Sequence, residues 1–153
     1  TATKEIRSIG NGFLVQTIDP LQINRDEWEV VTSRHPTENE WLDLEFAWTI
    51  AARVTSNTIV FAKDLQAVGI GAGQQNRRDA GRIASTKAAG RATGGACASD
   101  AFFPFQDGLD AAIEAGVTSV IQPGGSIRDD EVIKAAEKSG IAMVFTKERH
   151  FRH

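Results

Sequence analysis

An α/β domain in three layers, with helices on both faces of one mixed sheet, is predicted by three features of the sequence. Short apolar strands alternate with helical patterns through the second half of the chain, the order that builds α/β/α sandwiches around a largely parallel sheet. A hairpin pattern at 57–72 interrupts that order and makes the sheet mixed. The chain has 153 residues, 41% apolar and 24% charged, which suits a single domain over 1–153 with a core of its own.

Residues 5–16 alternate loosely around the turn signal Gly10-Asn11-Gly12 and predict a strand pair or an edge element. Residues 17–36 are polar and read as a connection. Thr37 and Glu40 then form a capping-box pattern, in which each side chain satisfies an orphan amide at a helix start. Trp41, Leu44, Trp48 and Ala51 follow at spacings of three and four, one apolar stripe of a helix running to about Val54. Asn57 to Lys63 is a β-branched and aromatic strand, Asp64-Leu65 a tight turn, and Gln66 to Ala72 the returning strand. Asn76 to Ala89 is rich in Ala, Arg and Lys and predicts a helix. After it come a short strand near Ala96–Ala98, a helix over Leu109–Ala115 capped by Asp107, and a strand at Val117–Gln122. The last pair is a helix from Asp130 to Ser139, with Gly140 in the left-handed position that ends it, and a strand at Ile141–Thr146.

Composition excludes several functions. The net charge is −3, whereas a nucleic-acid binder needs clustered basic residues to neutralise phosphates, so a small-molecule partner is expected and nucleic acid is not. No run approaches the roughly 20 apolar residues of a membrane helix and no signal-peptide pattern opens the sequence, so a cytoplasmic location is expected. Cys97 stands alone, and His35, His150 and His153 lack the Glu and paired cysteines of a zinc deaminase, so no zinc is expected. A lone thiol in a strand is also a poor candidate nucleophile.

Ligands of α/β sheets gather where strands end and helices begin, and three segments occupy such places. In Gly69 to Arg78 (GIGAGQQNRR), alternate glycines finish a strand and two arginines open a helix. That suits an anion such as phosphate; the other reading is a strand packed closely on a neighbour, with solvated arginines. In Ser99 to Asp107 (SDAFFPFQD), the three phenylalanines read either as core or, since the turn at Pro104 keeps them from being buried on one face, as leaving a ring exposed beside Asp100 or Asp107 to stack on a flat heterocycle while a carboxylate accepts its N–H groups. In Gln122 to Asp130 (QPGGSIRDD), glycines between a strand and a helix offer backbone amides to a polar ligand, or simply make a tight connection. The tail Arg149-His150-Phe151-Arg152-His153 reads either as a frayed end or as a segment docked in a cleft, where Arg149 can meet phosphate.

Taken as a series, Thr55-Ser56-Asn57, GIGAGQQNR, SDAFFPF, QPGGSIRD, GIAMVFT (140–146) and the closing RHFRH resemble the C-terminal end of AICAR transformylase/IMP cyclohydrolase, in order, spacing and position over nearly the whole chain. The resemblance implies the second of two tandem cytidine-deaminase-like units without zinc, the cyclohydrolase domain and the first transformylase unit lying outside these residues. It implies formyl transfer from 10-formyltetrahydrofolate to 5-aminoimidazole-4-carboxamide ribonucleotide on the way to IMP, in a homodimer and together with the rest of the parent chain. By position in the motifs, Asn57, Arg77, Phe102 and Arg149 resemble the contacts to the aminoimidazole nucleotide. Arg78, Asp107, Ser126 and Ile127 fall where the family meets the formylfolate, and a monovalent cation is allowed near Asp100 and His153.

The family's chemistry relies on a Lys-His pair, and here each histidine follows an arginine. The expected role is therefore substrate positioning without the acid–base step. A free-standing nucleotide- or folate-binding module is the alternative, and a purely structural or dimerisation domain a third. Arg78 stands where an aliphatic residue is usual, Gly81 where alanine is, and Leu65 where glycine is common; Thr55 and Lys147-Glu148 also depart from the pattern. If the chain is only part of a site built across two subunits, Trp41 or Trp48 is expected to lie exposed and to drive self-association.

Overall fold

A computed structural model describes residues 3–152, the side chain of Asp107 excepted. Strands β1 (Lys4–Ile9) and β2 (Gly12–Thr17) pair antiparallel as a separate two-stranded sheet, turning at Gly10-Asn11 as their sequence predicts. The connection predicted over 17–36 carries more structure than its polarity suggests. It holds a single 3-10 turn (Arg25–Glu27) and β3 (Glu29–Val30), which pairs antiparallel with the last strand at the sheet's edge.

Helix α1 (Glu38–Ala51) starts at the expected capping box, Thr37 Oγ1 accepting from the Glu40 amide and Glu40 accepting from the Thr37 amide. It ends three residues before the predicted Val54. The hairpin follows as β4 (Ile59–Lys63) and β5 (Gln66–Gly71), joined by Asp64 and Leu65, both at positive φ. The remaining elements are α2 (Arg77–Ala88), β6 (Ala96–Ser99), α3 (Asp107–Glu114), β7 (Ser119–Gln122), α4 (Asp129–Lys138) and β8 (Ala142–Phe145). Asp107 lies inside α3, preceded by Gln106 at the cap position, so its expected role as helix cap is corrected. Gly140 does take the left-handed conformation, at φ 68°. Its amide reaches Glu137 O and the next amide reaches Ala136 O, the paired bonds of a Schellman ending.

The six-stranded sheet runs β3-β8-β7-β6-β4-β5. It is mixed, as predicted, but less parallel than the alternation suggested: β6, β7 and β8 are parallel, while β3, β4 and β5 join antiparallel. The two-residue periodicity of the strands divides the core in two. Ile59, Phe61, Cys97, Val120, Met143 and Phe145 face the layer of α2, α3 and α4. Val60, Ala62, Ala96, Ala98, Ile121 and Val144 face α1. The result is the predicted α/β architecture, one helix against one face and three against the other.

Trp41 and Trp48 are core residues, 8% and 0% exposed, which overturns their expected role as a sticky surface. Trp28, from the supposedly plain connection, stacks on Trp41 at 6.4 Å and meets Trp48 edge-on, closing the α1 layer over β3. Exposed apolar surface gathers instead on the first hairpin. Ile6 and Val15 face each other across β1 and β2, with Phe13 on the same side, and all three are exposed. No helix among the described residues is long and apolar enough to cross a membrane.

Candidate functional site

Strand direction gathers the candidate segments at one edge of the sheet. Strands β6, β7 and β8 are parallel and end there together, releasing Asp100–Phe105, Pro123–Arg128 and the C-terminal tail. Strand β4 runs the other way, so its start pairs with the end of β6, Ile59 opposite Ser99. Strand β5 returns alongside, its last residue Gly71 opposite the same Ile59. Asn57, Arg77, Phe102 and Arg149 therefore sit on loops or helix starts at this common edge, although they are scattered over 93 positions from 57 to 149.

Asp100 is the hub. Its carboxylate is fully buried, and Oδ1 accepts from Arg77 Nη2 at 3.2 Å and from the Thr58 amide at 3.2 Å. Its carbonyl oxygen accepts from the His150 amide at 3.0 Å. Asp100 Oδ2 is buried without a hydrogen-bond partner among the described residues. Arg77 also donates through Nε to Ser99 Oγ at 3.2 Å, which aims the fork along the strand ends. Burial lowers the Arg77 pKa, and the facing Asp100 charge and hydrogen bond partly offset that shift.

Around this pair the other nucleotide candidates are anchored. Asn57 is half-buried; its side-chain amide donates to Gln74 O at 2.9 Å, and backbone bonds join the same two residues in both directions. The neighbouring Thr58 donates from Oγ1 to Gly71 O, tying the start of β4 to the end of β5. The phenyl rings divide as the position of Pro104 requires: Phe103 is buried, Phe102 half-buried and Phe105 exposed. The Phe103 amide donates to Gln122 Oε1 at 2.9 Å, so a buried glutamine at the end of β7 fixes where the segment turns. Arg149 is exposed, its guanidinium carbon 5.4 Å from the Phe151 ring centroid. The tail is docked rather than frayed: Ser56 N donates to Arg152 O, and Arg152 N to Ser56 Oγ.

Among the formylfolate candidates, Arg78 is exposed and lines an open cleft of about 480 Å³ with Asn76, Arg77, Arg82, Pro104 and Phe105. Arg128 covers the Phe105 ring at 4.8 Å, bringing the loop of Ser126 and Ile127 to the rim of that aromatic segment. Ile127 is fully exposed. The side chain of Asp107 lies outside the described residues, as does His153.

Two local readings change. Gly69 and Gly71 do not open the backbone to a ligand. A Cβ at either would strike a carbonyl oxygen of α2, that of Ala84 or Ala80, so the glycines let the helix lie directly on β5. The amides of Gly125 and Ser126 are not open to a ligand either, since the Asp129 carboxylate accepts from both, at 2.7 and 3.1 Å. Sequence reasoning placed Asp100 beside a stacking ring as a ligand acceptor but not as the buried partner of Arg77, and it passed over His150 as a buried anchor. The visible signal was an aspartate placed immediately after an all-buried strand, where it must find a cation or amides.

Among the described residues no group of three His, Cys, Asp or Glu side chains converges on a metal-sized space. Cys97 is wholly buried and desolvation pushes its thiol far up, away from a nucleophilic thiolate.

Comparison with known proteins gives the family. The family model described as the AICARFT/IMPCHase bienzyme matches residues 1–87. A "Bifunctional purine biosynthesis protein PurH" of Bradyrhizobium diazoefficiens is 54% identical over 157 residues, covering 96% of this chain. A protein of the same name from Bacillus cereus is 50% identical over 153 residues and covers 100% of it. The chain spans about 30% of the length of each of these relatives. With more than half its length matched by that model, the chain belongs to the AICARFT/IMPCHase bienzyme family.

Proposed function

We propose that this chain supplies the substrate-holding half of a formyltransferase site in purine biosynthesis, with Asn57, Arg77, Phe102 and Arg149 on the aminoimidazole nucleotide. In this reading Arg78, Asp107, Ser126 and Ile127 contact the 10-formyltetrahydrofolate. The observation that supports it most is the common sheet edge organised by the Arg77–Asp100 pair. A guanidinium fixed by a buried carboxylate is already oriented when ligand arrives, which lowers the entropy lost on binding. The flanking Phe102 offers a flat face to a heterocycle, and Arg149 an exposed cation to phosphate.

Positioning is the whole of the contribution in this reading. An aromatic amine attacking a formyl carbon must lose a proton, and the edge described above holds no Lys-His pair to take it. Acid–base groups then come from the rest of the parent chain or from a second subunit. The exposed Ile6, Phe13 and Val15 face is the surface that suits such a neighbour. Asp100 Oδ2, buried without a partner among the described residues, is the atom a monovalent cation would meet.

Calorimetric titration of this chain with the aminoimidazole carboxamide ribonucleotide tests the proposal, with Arg149→Ala as the control. Arg149 is exposed, so its removal leaves the fold intact. Saturable binding weakened about tenfold by the substitution is expected for one lost charge-assisted phosphate contact. Absence of binding at millimolar nucleotide would refute the reading. Formyl transfer by the purified chain would refute the assignment of the proton-transfer step to other residues.

A further inference from the structure

The tail that carries Arg149 is held by a buried histidine that the nucleotide reading does not use. His150 is 3% exposed. Its Nδ1 lies 2.6 Å from Asp19 Oδ2, its ring packs edge-on against Trp48 at 5.2 Å, and its amide donates to Asp100 O at 3.0 Å. Ser56 Oγ reaches the His150 carbonyl at 3.4 Å. Four contacts from four parts of the chain thus fix one residue, and Arg149 is its immediate neighbour, one peptide unit away.

The direction of the imidazole follows from satisfaction of its nitrogens. His150 Nε2 is buried with no hydrogen-bond partner among the described residues. An unpartnered lone pair there costs less than an unpartnered N–H, so the proton sits on Nδ1 and is donated to Asp19. Asp19 is 45% exposed and follows directly after β2 and Ile18, so the bond ties the N-terminal hairpin's exit to the C-terminal tail. Asp100 then joins the two ends of the arrangement, its carboxylate holding Arg77 and its carbonyl holding His150.

We propose that the Asp19–His150 pair is a positioning device that sets Arg149 at the nucleotide edge defined by Arg77. The inference rests on the nucleotide reading for Arg149 and adds to it two residues that touch no substrate. With the pair intact, Arg149 samples a small volume next to the strand ends. Without it, the tail keeps its contacts with Asp100, Ser56 and Trp48 but loses its tie to the exit of the N-terminal hairpin, and the guanidinium samples a wider volume.

The test combines nucleotide titration of this chain with amide hydrogen exchange over residues 149–152. Asp19→Ala is the primary variant, since its site is half-exposed and its loss leaves the core untouched. Exchange in the tail is expected to speed up and nucleotide affinity to fall about tenfold, with the double variant Asp19→Ala/Arg149→Ala no weaker than Arg149→Ala alone. His150→Asn, which keeps a donor near the Nδ1 position, is expected to retain affinity, and His150→Leu to lose it. Unchanged exchange and affinity in Asp19→Ala overturn the proposal, as does full additivity with Arg149→Ala, because Asp19 would then act on something else. If Arg149→Ala leaves affinity unchanged while Asp19→Ala still loosens the tail, the nucleotide reading falls first, and Arg149 as the positioned group falls with it.

Discussion

Arg77 and Asp100 meet at 3.2 Å with the carboxylate wholly buried and the arginine side chain only 13% exposed. The contact is both a structural ion pair and the proposed anion anchor, so the two roles must be separated by choice of substitution. Removing the arginine strands a buried charge, whose penalty is about 3–5 kcal/mol. Arg77→Ala is therefore expected to lower unfolding free energy by about 3 kcal/mol in urea titration. Arg77→Lys keeps the charge but not the fork, and is expected to lose about 1 kcal/mol of stability and most of the nucleotide affinity. An Arg77→Ala protein as stable as the parent would show that Asp100 is held by other groups.

Acid sensitivity is expected from a second pair, remote from the site. Arg34 grips Glu40 with two hydrogen bonds, at 2.8 and 3.0 Å, and Arg34 also donates to Thr118 O. Burial raises the Glu40 pKa, but the bonds from Arg34, with help from Thr118 and the Thr37 amide, outweigh it and bring the value down to about 2. A depressed carboxylate stabilises the fold above its unfolded pKa, near 4.5, and that contribution disappears as pH falls through the folded value. Stability is thus expected to fall by on the order of 2 kcal/mol between pH 4.5 and pH 2, after allowance for the solvent that reaches Arg34. Glu40→Gln should flatten that part of the profile, measured by denaturant midpoints across the range.

Leu65 predicts a gain rather than a loss. It occupies the second central position of the β4–β5 turn at φ 58°, after Asp64 at φ 50°. Both positions of such a turn favour residues that tolerate the left-handed region, and a γ-branched side chain does not. The turn persists because the buried Asp43 carboxylate accepts from both amides, at 3.1 and 2.8 Å. Leu65→Gly is expected to stabilise the chain by about 1 kcal/mol, and Asp43→Ala to destabilise it by about 2 kcal/mol. Thermal unfolding of the two single variants checks both signs.

Much of this was legible from sequence, for identifiable reasons. The capping box at Thr37, the α1 stripe and the Gly140 ending are local chemistry, and their partners lie within five residues. Strand β3 escaped notice because Glu29–Val30 carries almost no pattern and is held by β8, more than a hundred positions away. The parallel share of the sheet was overstated because alternation of strands and helices fixes neighbours in sequence, not the insertion of β4 between β5 and β6. Gly69 and Gly71 were legible as close-approach positions, but what approaches them is α2. At the candidate site, the motif series marked strand ends that the fold gathers at one edge of the sheet. It could not mark Asp100 and His150 as its anchors, since their roles come from burial and from contacts between distant segments.

The apolar face of the first hairpin predicts association. Ile6, Phe13 and Val15 are 64%, 74% and 51% exposed on a two-stranded sheet that pairs with no strand of the main sheet. A lone hairpin is marginally stable in water, and side chains of this size on one face gain roughly 1.5–3 kcal/mol each when a partner buries them. Sedimentation velocity of this chain is expected to show a concentration-dependent shift to dimers or larger species. Phe13→Asp should abolish that shift without lowering the stability of the main domain, because the ring touches none of the core described above. A species that stays monomeric at several hundred micromolar, with Phe13 intact, would show that a second copy of this chain does not cover the face.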